Sequence, residues 1–244
     1  MLNQLKETDF YLLKQISTGR LRPSQMVGFF WGAFIFSGIM ALVSYNAARG
    51  LLTSNPLWPI LIKVIIGILV IQFLFTLFFT SDKNAYRYQK LQAYLLAFIL
   101  FKLSIEMYLV YFLACEDRYA PTYMLTIGLL FLVGGFVFLI ISTLRGIRRV
   151  KQGEFRENGK GLYNFQQSKG YVSLPIIYVA SIFAGLMAKS LSSMDLSTVG
   201  EVIFPLLISV FIQYSIAIVW PEFFLLVYCK KRFQSYNEIP NRYR

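Results

Sequence analysis

The sequence predicts an all-α fold: a polytopic membrane bundle of six transmembrane helices, both termini cytoplasmic, preceded by an interfacial amphipathic helix. Three observations predict it. Apolar residues make up 57% of the 244-residue chain and charged residues only 15%, against about 45–50% and 25% in a soluble domain. The excess is gathered into runs of about 20 residues, the length that crosses a hydrocarbon core of roughly 30 Å. Lys and Arg crowd alternate links, nineteen on one side of the resulting topology and three on the other. The positive-inside rule makes the rich side cytoplasmic, and equal placement of the two ends requires an even number of spans.

Residues 1–25 form a cytoplasmic or interfacial segment. Leu2, Leu5, Leu12, Leu13 and Ile16 recur near helical spacing while Lys6, Glu7 and Lys14 fall elsewhere, which predicts a surface-lying helix stopped by Gly19 and Pro23. The membrane domain then occupies 26–229. Span 1 (26–48) is full length without a small-residue cleavage site, so it reads as a retained span rather than a signal peptide. Its Gly28 and Gly32 form a GxxxG, expected to pack a neighbouring helix within the monomer. Span 2 (57–80) begins beside Trp58, an interface anchor, and carries Lys63 and Gln72. A compact link follows with Lys83, Arg87 and Lys90, and Tyr86, Tyr88 and Tyr94 suit the same interface.

Span 3 (91–114) holds Lys102 and Glu106 near its middle. Span 4 (122–144) is uniformly apolar, with Gly134 and Gly135 suited to tight packing or a slight bend. The longest polar stretch, 145–170, has seven Lys or Arg against two Glu, Arg148, Arg149 and Lys151 among them. It predicts a basic cytoplasmic loop that starts as an extension of span 4. Span 5 (171–188) carries Pro175 in its first turns and a face of Ala180, Ser181, Ala184, Gly185 and Ala188. The last apolar run, 199–229, exceeds one crossing and contains Pro205 and Pro221, which predicts a tilted, kinked or broken span. A basic tail, 230–244, ends the chain.

The intramembrane charges are the candidate site. Four residues apart, Lys102 and Glu106 share a helix face. An ionisable group at this depth costs about 2.5–3.5 kcal/mol on insertion scales, so such residues face the protein interior and pair. Counted at helical rise, Lys63 lies about 9 Å below the outer boundary and Glu106 about 12 Å, so Lys63 is expected to join them across a helix pair. The trio reads either as a structural ion pair or as a ligand- or proton-handling site. Pro221 and Glu222 form a candidate gate or kink, with Glu222 near Lys230 and Lys231. Glu201 is placed to pair with Lys189.

Several chemistries are excluded. The chain has no His and only two Cys, Cys115 and Cys229, which rules out imidazole-based metal or haem sites and His-dependent triads. The two cysteines fall at opposite membrane faces, so no disulfide is expected. No GxxxxGK[ST] follows a strand, so no phosphate loop is present. No catalytic set and no cofactor are predicted, and the net charge of +12 follows membrane topology rather than nucleic-acid binding.

An amino-terminal interfacial helix, six spans, two inner ends and a compact 2–3 link together resemble the permease half of an ABC-2 type exporter. That resemblance implies a separate cytoplasmic ATPase as partner, contacts at Lys83, Arg87 and Lys90 with Arg148, Arg149 and Lys151 nearby, and a homo-oligomer. The alternative is a non-transporting immunity, assembly or regulatory factor that binds another membrane protein or a membrane-active peptide. The cell membrane is the expected location, and the bilayer a partner in either case.

Overall fold

A computed structural model describes residues 4–50, 57–162 and 199–237. Among them the regular structure is entirely helical, as hydrocarbon requires of a segment that must satisfy its own backbone polar groups. Five helices are long and apolar enough to cross a membrane: α2 (Pro23–Gly50), α3 (Leu57–Thr80), α5 (Gln89–Asp117), α6 (Thr122–Lys151) and α7 (Val199–Arg232). Two are short, α1 (Tyr11–Thr18) and α4 (Asp82–Arg87). The protein is thus multi-pass. Predicted span 5 with Pro175 and its small-residue face, Lys189, and the end of the basic tail lie outside the described residues.

The helices outrun the apolar stretches. α5 starts at Gln89, and α6 continues through Arg148, Arg149 and Lys151, where cations favour the negative end of the helix dipole. Side-chain pairings fix directions. α2 and α5 run in parallel, since Ser37 meets Glu106 and Gln92 donates to the Pro23 carbonyl. α3 runs opposite, with Gln72 at Lys102. α6 and α7 also run opposite to α5: Met124 takes a bond from Tyr111 at one end, and Lys230 bonds Gln89 at the other. The ends bearing Arg22, Arg87, Lys151 and Lys230 therefore come together, and we call this the basic end.

α5 is the hub, packed on α2, α6 and α7, with 44% of its apolar window buried against 17% in α3 and in α6. Among the described residues the outward faces of α3 and α6 leave Val64, Val70, Leu74, Leu130, Val137 and Ile140 exposed, apolar area suited to lipid or a further helix. Close approach to α6 depends on glycine. A methyl at Gly135 would come within 2.0 Å of the Gln213 carboxamide, and one at Gly128 within 2.2 Å of the Tyr111 ring. The predicted GxxxG behaves otherwise: a Cβ at Gly28 or Gly32 meets no atom within 4 Å among the described residues. The expected packing of that motif within the monomer is not found there.

The last span is one uninterrupted helix through both Pro205 and Pro221, so of the expected outcomes the break is absent. An interior proline costs about 3 kcal/mol, and here the packing of α7 along α5 and α6 offsets it. The Pro221 ring is seated where Gly146 of α6 leaves room, 2.6 Å from where a Cβ would stand.

The basic end is closed by a small folded cap. α1 is present but does not lie free on a surface: Leu13 and the preceding Phe10 are fully buried in a cluster with Val150, Phe155, Leu225, Cys229 and Tyr236. The loop after α6 is not loose either, because 152–162 folds back on glycines at positive φ (Gly153, 81°; Gly161, 66°). Phe155 C=O accepts from Leu12 N–H at 3.0 Å, and Arg156 pairs with Asp9 at 2.9 Å. The Asp9 carboxyl is held below its usual range by the Lys6 backbone N–H and by Arg156; that of Glu7 is lowered by Ser235 and Lys14. Burial pushes the Tyr236 phenol up while its hydroxyl donates to Phe10 C=O at 2.8 Å.

Candidate functional site

Lys102 and Glu106 pair as their spacing predicts. Nζ of Lys102 lies 3.2 Å from a carboxylate oxygen of Glu106, and the Glu106 side chain is only 4% exposed. Three helices meet here. Lys102 also donates to Ser37 Oγ of α2 at 2.6 Å and to Gln72 Oε1 of α3 at 2.7 Å. Ser37 Oγ in turn donates to the other Glu106 oxygen at 2.8 Å. An ammonium has three protons to give, and all three have acceptors. Such a pair is neutral overall, and its hydrogen bonds offset the desolvation that burial imposes.

Two capacities are left over. Gln72 Nε2 is buried with no hydrogen-bond partner among the described residues, and Glu106 Oε1 is engaged by the Lys102 ammonium alone, so the centre retains one donor and part of one acceptor. Beside it, between α3 and α5, lies a cleft of about 220 Å³ lined by Ile65, Ile68, Phe98, Phe101 and Ile105 with Lys102 and Glu106. The arrangement can hold a charge pair at mid-thickness and admit an apolar group alongside.

Lys63 does not belong to this centre. It is exposed on α3, and Gln72, nine residues further on, is the α3 residue level with Lys102. Lys63 is therefore displaced by about 13 Å of helix rise from that level. The depth estimate took the outer end of span 3 at residue 114, whereas α5 runs on to Asp117 and meets the start of α3 where Trp58 reaches Glu116.

The candidate gate forms a second buried pair. Glu222, 6% exposed, receives Arg20 Nη2 on both oxygens at 2.5 and 2.6 Å. Its partner is thus the amino-terminal segment, not Lys230 or Lys231. Lys230 is itself buried, 2% exposed, and donates to Gln89 Oε1 at 2.8 Å and to the Tyr236 carbonyl at 3.2 Å. At the opposite end Glu201 pairs with Arg118 at 3.0 Å, and Trp58 ties α3 to Glu116 of α5. Cys115 and Cys229 are free and buried near opposite ends of the bundle.

Of the candidate partner contacts, Lys83, Arg87, Lys90, Arg148 and Lys151 are exposed. Arg149 turns inward, donating to the carbonyls of Gly161 and Leu162. Sequence reasoning did not reach Ser37, nor the Tyr108–Gln213 bond of 2.8 Å between α5 and α7. A lone serine or tyrosine in an apolar run carries no sign of the face it occupies. No protein-family model, curated protein or solved structure matches this chain.

Proposed function

We propose that this chain is an integral membrane transport component, the permease of an exporter of ABC-2-like architecture working with a separate cytoplasmic ATPase. The observation that carries the reading is α4. The link between α3 and α5 folds as its own short helix at the basic end, with Lys83 and Arg87 exposed on it, a rigid handle for an acidic surface of a partner. By the positive-inside rule the basic end faces the cytoplasm of the cell. α6 finishes at that end and α7 starts at the opposite one, so a sixth span, placed by hydropathy at 171–188, would connect them. On this reading the Lys102–Glu106 centre handles substrate or protons, and the alternating elements are α3 and α5.

The test is purification from native membranes in mild detergent, with ATP hydrolysis as the readout. A co-purifying ATPase activity that Lys83→Glu lowers several-fold is the expected result; hydrolysis absent from the wild-type preparation would overturn the proposal. One observation favours the alternative, an immunity, assembly or regulatory factor. The face of α2 with Gly28, Gly32, Ile35 and Ile39 is exposed among the described residues, and a helix of another membrane protein could pack there. Cross-linking from residue 35 to a different membrane protein, with no ATPase, would select that reading.

A further inference from the structure

We propose that the bundle holds one anionic glycerophospholipid at the junction of α4 and α5, phosphate at the basic end and an acyl chain along α5. The headgroup seat is a cavity of about 280 Å³ lined by Arg87, Lys90, Tyr88, Gln89, Leu91 and Asn237. Among the described residues no carboxylate lines it. Among the described residues neither Arg87 nor Lys90 is in an ion pair; Arg87 lies only over the Tyr88 ring, 5.6 Å from its centroid. Behind Gln89 stands Lys230, whose bonds go to the neutral oxygens of Gln89 and Tyr236. A buried ammonium with neutral acceptors leaves its charge uncompensated, and its field reaches the cavity through the Gln89 side chain. Three cations thus converge where a leaflet places its phosphates.

What selects a lipid over a soluble phosphate is the face of α5 that leads away from the cavity. Leu91, Tyr94, Phe98 and Phe101 follow one another at helical spacing, and each is exposed, from 36% to 54%. This track ends in the apolar cleft beside Ile68, Ile105 and the stem of Lys102. From Lys90 to Phe101 the helix rises about 17 Å, roughly half of a 30 Å hydrocarbon core and so the reach of one acyl chain. The headgroup seat and the chain cleft are separate cavities, and the exposed face of α5 runs from one to the other.

The experiment is native mass spectrometry of the delipidated full chain, titrated with dioleoyl phosphatidylglycerol, with dioleoyl phosphatidylcholine, or with glycerol 3-phosphate. Wild type should bind one phosphatidylglycerol roughly 25-fold more tightly than phosphatidylcholine. Arg87→Gln with Lys90→Gln should abolish the preference, while Lys83→Gln, equal in kind and outside the cavity, should keep it. Ile68→Trp, which fills the cleft without altering a charged residue, should weaken both lipids. Equal binding of the two lipids, an unchanged preference in the Arg87/Lys90 variant, or glycerol 3-phosphate competing as well as the whole lipid would each overturn the proposal. None of these measurements involves an ATPase, so the lipid site and the transport reading can fail separately.

Discussion

Lys102 and Lys230 are both lysines drawn out of water, one at mid-thickness and one at the basic end, and the company each keeps differs. Lys102 meets a carboxylate, a hydroxyl and a carboxamide from three helices. Lys230, more deeply buried, meets only a carboxamide and a carbonyl. In hydrocarbon no headgroup or solvent can balance a cation, so the opposite charge is carried on the same helix, four residues away. At the basic end phosphates and water lie close by, and neutral acceptors suffice to hold the ammonium in place. For these two lysines, depth goes with whether the chain supplies the counter-charge itself.

The largest expected effect sharpens that contrast. Glu106→Gln leaves Lys102 as a buried cation without its counter-charge and should destabilise the detergent-purified protein by about 3–5 kcal/mol. Gln89→Leu removes one neutral acceptor from Lys230 and should cost about 1–3 kcal/mol. Thermal unfolding of the two variants side by side checks the order; a larger loss at Gln89 would reverse the comparison. Gln72→Leu should also cost about 1–3 kcal/mol, while Lys63→Gln, outside the centre, should stay within about 0.5 kcal/mol of wild type. A loss at Lys63 as large as that at Gln72 would restore the trio read from the sequence.

The smallest effect concerns pH, and the two regions should separate there as well. Asp9 and Glu7 are held below their usual range in the folded cap. Their contribution is therefore complete above the unfolded carboxylate value near about 4 and is lost as pH falls through the depressed folded values. Hydrogen exchange at the Leu12 amide, bonded to Phe155 C=O, should show weaker protection at about pH 3 than at about pH 6 after correction for intrinsic rates. Amides of α5 near Ser104 should keep theirs. Equal loss at both would mean that the cap and the bundle open together.

Much of the fold was legible because hydrocarbon imposes strong rules. The predicted bounds of span 2 are those of α3, and the i,i+4 spacing of Lys102 and Glu106 was enough to pair them. What was not legible depends on neighbours. The level of α3 against α5 shows only in contacts between the two, Trp58 with Glu116 and Gln72 with Lys102, which leave Lys63 out. Pro205 and Pro221 argue locally for a break, and the packing that keeps α7 continuous, including the seat at Gly146, comes from another helix. Arg20 and Glu222 lie some two hundred residues apart in sequence, and nothing local to either announces the other. Of the amphipathic pattern at the amino end, Leu12, Leu13 and Ile16 fall on α1 and Leu5 precedes it; the same pattern serves lipid or a protein cap, and here α1 is part of the cap.

The central claim is that Glu106 and Lys102 neutralise each other within the bundle. A double-mutant cycle of Glu106→Gln and Lys102→Met, followed by thermal unfolding, tests it most directly. Removing both charges takes away the buried cation as well as its partner. The double variant should therefore recover most of the stability that Glu106→Gln alone loses, with a coupling of at least about 1 kcal/mol. Strictly additive losses, or a Glu106→Gln protein as stable as wild type, would contradict the account.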